Sequence, residues 1–215
     1  MFIEYLSTNP VFYISAVVGL ILSITLHELA HGWAAIYKGD DTPRVLGHMT
    51  PDPVTHMGPM GLIAVCLMGI GWGAMPINPS RMRGKYAEAF VAFAGPLMNL
   101  LLAAIGLTSL ALWQNAVPYA NLSTFQTNLR DALWYFGYIN IGLFIFNLIP
   151  VPPLDGSRIL ANFSYRYDRW LMDNPQLGAF MFFGVFAIFI GLGRTDYGLF
   201  SVSRRIARAY MDLWT

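Results

Sequence analysis

Residues 24–35 read ITLHELAHGWAA, and three of them can do chemistry together. His27 and His31 are four apart, so on a helix both imidazoles leave the same face about one turn apart. Two neutral imidazole nitrogens at that spacing can bind one Zn²⁺. Glu28 lies next to His27 and is not a third ligand by geometry; it can reach a water at the metal instead. Zinc lowers the pKa of such a water toward about 7. Glu28 is then expected to take its proton as it attacks a carbonyl and to pass it to the leaving amine. The bland alternative is a chance H-E-x-x-H with two ordinary interior histidines. The surroundings argue against it: the run from Val11 to Tyr37 has no Lys, Arg or Asp, and Glu28 is its one acid. Ionisable groups in so apolar a stretch are costly and mark function.

A catalytic zinc needs a third protein ligand. Asp155, in NLIPVPPLDGSR (147–158), is the leading candidate. A carboxylate in a Pro-Pro-Leu-Asp-Gly turn has little freedom to lose on binding metal. Asp-Gly is also a common turn, and the turn reading would stand if H-E-x-x-H were absent.

The elements that must position these residues follow from composition. The chain has 215 residues, of which 56% are hydrophobic and 12% charged. That charged share is about half the soluble norm, and mean hydropathy is +0.50. These values place the chain in the membrane class. A net charge of +1 gives no footing for a nucleic-acid partner. The single cysteine, Cys66, says nothing firm about compartment. MFIEYLSTNP lacks the basic region of a cleaved signal, so the first apolar run is read as a permanent span.

Four strong spans are expected, at 11–37, 87–113, 132–150 and 175–193, with a polar connector at 114–131. Residues 58–76 are apolar but Gly-rich and short, and suit a short helix or re-entrant segment. The tail 199–214 can gather Leu199, Val202, Ile206, Tyr210 and Leu213 on one face, as in a helix at the membrane surface or docked on the bundle. The expected fold is an all-α polytopic membrane protein, a single domain over 1–215. It is a bundle of about four to six membrane segments with a re-entrant or extended element between the first two strong spans. Asp155 reaches the side of the histidines only if 58–86 goes out and returns.

Together, H-E-L-A-H at 27–31, A-G-P-L-M-N at 94–99 and N-L-I-P-V-P-P-L-D-G at 147–156 resemble the site-2 protease family of intramembrane zinc metalloproteases. H-M-G-P-M-G at 56–61 and G-W-G-A-M-P-I-N-P at 71–79 extend the resemblance over about 11–160. It implies one zinc per chain, held by His27, His31 and Asp155, with Glu28 as base. It also implies cleavage of peptide bonds within or beside transmembrane segments of membrane proteins. Asn99 and Asn147 match motif asparagines near the substrate. Asn99 is a candidate oxyanion donor or an interhelical hydrogen bond, and Asn147 has the same two readings. His56 is a candidate substrate contact or resting fourth ligand, or simply a turn-capping residue. Residues 71–79 are expected to form an extended or hairpin edge that could pair with unwound substrate. Two positions depart from the pattern: Met-Gly-Pro follows His56 where Ile-Asp-Pro is expected, and Ala74 stands where relatives often carry Lys. With no PDZ domain in these residues, substrate choice is expected to come from the membrane core.

Lys38, Arg44, Arg81, Arg83, Lys85, Arg158, Arg166 and Arg169 fall on the active-site side, against Arg130 opposite, joined by the tail arginines if the tail lies there. That bias orients the site toward the cytoplasm of a prokaryotic cell membrane. The partners expected are membrane-borne substrates and the lipid bilayer, and a homo-oligomer is compatible. The rival from another class is a metal transporter or metal sensor using the same ligands. A second enzyme rival is a membrane zincin acting on cytoplasmic or prenylated tails, but such enzymes usually recruit a Glu as third ligand.

Overall fold

The computed structural model describes residues 2–117, 122–192 and 198–214, whose regular elements are all helices, with no strand among them. Helix α1 (Pro10–Tyr37) starts where the Asn9 side chain accepts from the Phe12 N–H, with Pro10 at the first position. Helix α2 (Pro53–Met68) follows a polar loop and carries a break at Gly58, whose φ of 64° is open to glycine, just before Pro59. Helix α3 (Ala87–Ala116) is the second long apolar helix. Helix α4 (Thr124–Asn147) opens with a Ser123/Gln126 capping box. The short helices α5 (Asp155–Phe163) and α6 (Tyr165–Asp173) precede α7 (Pro175–Leu192) and α8 (Leu199–Met211).

Two of these, α1 and α3, are long and apolar enough to cross a membrane by length and composition. The expected third span behaves differently. The polar connector 114–131 is largely helix: α3 ends at Ala116, and α4 begins at Thr124 with Arg130 and Asp131 in its second turn. The capping box starts the helix well before the apolar run, so polar and apolar segments join in one element. The expected fourth span coincides with α7 up to Leu192, and its last residue, 193, lies outside the described residues.

α1, α3 and α4 pack as a three-helix core. Ala16, Ala103, Leu107, Tyr138, Ile139, Ile141 and Ala207 form its centre. Close approach is made by small residues: Gly137 admits the Leu107 side chain, and Gly106 lies against Phe136. The tail helix docks along α4. Its inward face is Ser203 and Ala207, both wholly buried, with Ser203 set against Gly142 and Tyr210 hydrogen-bonded to Thr108. Val202, Ile206 and Leu213, expected on the apolar face, are exposed. Small residues won that face because only they let two helix backbones come this close.

Residues 53–83 go out and come back beside α1. α2 reaches the level of Tyr13, whose hydroxyl donates to the Cys66 carbonyl, and Gly69 packs against Phe2. The chain then returns as an extended limb without strand partners. Its anchors are Ala74 N–H to His56 O, Asn78 N–H to Asp40, and Arg83 N–H to Lys38 O at the far end of α1.

Candidate metal centre

The fold brings Asp155 to the histidines. The ligating atoms of His27, His31 and Asp155 all lie within 4.8 Å of one another. His27 Nε2 is 3.1 Å from Asp155 Oδ2, His31 Nε2 is 3.3 Å from Oδ1, and the two Nε2 atoms are 3.0 Å apart. Both histidines are buried.

The other ring nitrogens decide what faces the centre. His31 Nδ1 meets the Val91 carbonyl at 2.7 Å. A carbonyl can only accept, so His31 carries its proton on Nδ1 and turns the Nε2 lone pair inward. His27 Nδ1 meets Asn99 Oδ1 at 2.7 Å, with the same consequence. Two imidazole lone pairs and a carboxylate therefore converge with no donor among them. Such a set is repulsive unless a cation or a shared proton lies between, and its donor atoms suit Zn²⁺.

Backbone geometry keeps this volume open. A Cβ on Gly95 would land on Nε2 of both histidines. Glycine there lets α3 approach α1 while leaving the centre free. Asp155 is the first residue of α5, and a clamp holds its turn: Tyr167 donates from its hydroxyl to the Pro150 carbonyl at 2.9 Å and lies 2.9 Å from Ser157 Oγ. α5 is also tied to the start of α3, where Asn162 accepts from the Ala89 N–H at 3.4 Å. Glu28 is 7% exposed and lies under the returning limb, where a Cβ on Gly73 would come within 2.6 Å of Glu28 Oε1.

The remaining candidates separate. Asn99, wholly buried, stands behind His27 and donates to Asn140 Oδ1 at 3.0 Å, which is the interhelical reading. Asn147 donates to Leu143 O in its own helix at 3.1 Å. His56 is outside the converging group; its Nε2 meets Thr50 O at 2.7 Å and its carbonyl anchors the limb. Sequence reading passed over Gly95, Gly73, Asn140 and Ser23. Asn140 carried a signal, being a polar residue inside an apolar run like Asn99. The glycines carried none beyond their place near the motifs.

Comparison with known proteins agrees with this chemistry. Residues 114–191, which include Asp155, match the model of "Peptidase family M50". The Bacillus subtilis (strain 168) protein named "Putative zinc metalloprotease YwhC" is 42% identical over 149 residues, covering 68% of this chain and 67% of that protein. "Putative zinc metalloprotease Rip2" of Mycolicibacterium smegmatis is 30% identical over 153 residues, 67% of this chain and 55% of the relative. Rip2 of Mycobacterium tuberculosis (strain H37Rv) is 28% identical over 154 residues, so the chain spans little more than half of either Rip2. No solved structure matches at a comparable level. The convergent His-His-Asp centre and a relative of this identity across two thirds of both chains lead to one assignment: the chain belongs to peptidase family M50, the site-2 protease family.

Proposed function

We propose that this protein is an intramembrane zinc endopeptidase that hydrolyses peptide bonds within or next to transmembrane segments of other membrane proteins. The observation that carries the reading is the donor-free convergence of His27, His31 and Asp155 beside the buried Glu28. Those three residues would hold the zinc, which supplies Lewis acidity for attack on a carbonyl. Glu28 takes the proton of the attacking water and returns it to the leaving nitrogen. The Asn99 and Val91 oxygens hold the two rings so that each turns its Nε2 to the centre.

The limb at Gly73 covers Glu28 on one side. The limb is extended from Ile70 to Asn78, and a substrate unwound at a small or helix-breaking residue could lie along it as an added strand. The out-and-back path of 53–83 is the re-entrant element, and it keeps the zinc side facing the cytoplasm, where the basic residues gather. Membership of a peptidase family favours hydrolysis over metal transport.

The test is one detergent-purified preparation of wild type, Glu28→Gln and Asp155→Ala, assayed for bound zinc and for cleavage of a model transmembrane substrate. Zinc retained with cleavage abolished in Glu28→Gln, and zinc lost in Asp155→Ala, is the expected pattern. Cleavage surviving in Glu28→Gln would sink the proposal.

A further inference from the structure

Behind His27 runs a chain of hydrogen bonds that crosses three helices and ends on a group that cannot reverse. His27 Nδ1 meets Asn99 Oδ1, Asn99 Nδ2 donates to Asn140 Oδ1, and Asn140 Nδ2 donates to Ser23 Oγ at 2.8 Å and to Phe136 O at 2.9 Å. Asn99, Asn140 and Ser23 are each wholly buried, so water does not compete for these bonds.

An amide beside a histidine can present its oxygen or its nitrogen, and the choice sets the tautomer. If Asn99 turned its NH₂ to His27, Nδ1 would accept, and the ring proton would move to Nε2 and point into the metal centre. Asn99 cannot settle this alone, because its far end faces another amide. The Phe136 carbonyl can settle it, since a main-chain carbonyl only accepts. It commits Asn140 to present Nδ2 to Phe136 and Oδ1 to Asn99. Asn99 must then offer Nδ2 to Asn140 and Oδ1 to His27. Ser23 follows either way, because a hydroxyl both donates and accepts.

We infer that Asn140 is a positioning residue for the metal centre: through Asn99 it locks the His27 ring proton on Nδ1, with Phe136 O as the anchor and Ser23 as a support. The inference rests on His27 being a metal ligand, as proposed above. It assigns a role to a residue on α4, a helix that contributes no ligand. His31 needs no such relay, since its Nδ1 meets a main-chain carbonyl directly. The two ligands of one motif are thus oriented by different means.

The readout is metal affinity, measured by chelator competition for Zn²⁺ and by the visible spectrum of the Co²⁺-substituted protein, on full-length protein in detergent. Asn140→Leu should weaken zinc binding about 10- to 100-fold and change the Co²⁺ spectrum. Asn140→Asp, buried and neutral, offers O–H to Phe136 and C=O to Asn99, and should stay within about threefold of wild type by preserving the same acceptor. Asn99→Asp, ionised against the Nδ1–H of His27, presents an acceptor with either oxygen, so adding Asn140→Leu in that background, which also removes the facing Asn140 Oδ1, should cost no further affinity. A merely structural Asn140 would cost the same in both backgrounds. Equal losses in the two backgrounds, an Asn140→Leu protein with wild-type affinity, or a loss in Asn140→Asp as large as in Asn140→Leu would each overturn the inference. If Asn140→Leu does not fold, Asn140→Asp and the milder Ser23→Ala decide, the latter expected to lower affinity by only a few-fold. Cleavage by Glu28→Gln would sink the protease reading and leave this affinity cycle standing. A wild-type protein without zinc affinity would overturn both.

Discussion

Replacing Gly95 by alanine should remove the metal while leaving the bundle folded. The new methyl carbon would stand 2.5 Å from His27 Nε2, against the 3.4 Å at which ordinary contact begins, and as near to His31 Nε2. α3 or both rings must therefore retreat by roughly 0.9 Å, while a zinc site tolerates about 0.2 Å in its ligand distances. The methyl group also takes the volume a cation would fill at about 2.0–2.1 Å from each nitrogen. Retreat of α3 would carry Val91 and Asn99 with it, since both sit on that helix and hold the outer ring nitrogens. Loss of ring orientation alone is worth about 10- to 100-fold in affinity, and displaced ligands add to that, so a loss of at least about 100-fold is expected. The fold should survive, because overpacking of one methyl costs about 1–3 kcal/mol. Zinc affinity by chelator competition, run beside thermal unfolding of the zinc-free protein, separates the two effects. Gly95→Ala binding zinc as tightly as wild type would refute the reasoning, because it would mean that the centre is not at the point where the Nε2 lone pairs meet.

Gly73→Ala should act on Glu28 and not on the metal: its Cβ would sit 2.6 Å from Glu28 Oε1, so turnover should fall at least about tenfold with zinc content unchanged, as for a displaced proton carrier. Gly156→Ala puts a Cβ into the Leu148 carbonyl and should shift the Asp155 turn, seen as lost zinc without lost helix content. Asp40→Ala removes the acceptor for Thr42 and for the Asn78 N–H and should loosen the limb by about 1–3 kcal/mol, read as faster proteolysis near 70–83. Burial opposes ionisation of Asp40, but the hydrogen bonds from Thr42 and Asn78 and the charge of Arg81 outweigh it, holding its carboxyl below the usual 3.8. A depressed carboxyl stabilises fully above its unfolded pKa and loses that contribution as pH falls through the lower folded value. Limb protection should thus persist at pH 5, fade below about pH 4 in wild type, and show no such step in Asp40→Asn.

How much of this was legible beforehand varies by residue. His27, Glu28 and His31 were visible because a helix converts four-residue spacing into one face, a rule that holds in any fold. Asp155 was visible as chemistry in a rigid turn, but its meeting with the histidines is a contact across more than 120 residues, which local pattern left open. Helix ends were harder: the Ser123 capping box began α4 well before its apolar run, so residues the sequence assigned to a polar connector belong to the helix. The tail was legible as amphipathic, whereas its contact with α4 through Ser203 and Ala207 was not, because close helix contact selects for small size over hydrophobicity.

By itself, the sequence determined the class of solvent and singled out the His-His-Asp set as candidate metal ligands with Glu28 beside them, since composition and short-range spacing depend on the chain alone. Only the tertiary structure decided that Gly95 leaves room beside the two Nε2 atoms and that the limb covers Glu28. It also decided that Asn99 and Asn140 on different helices orient His27. The bonds that link His27 to Asn99 and Asn99 to Asn140 join residues 72 and 41 positions apart, and contact across such a separation is set by how the helices pack, which no local pattern encodes.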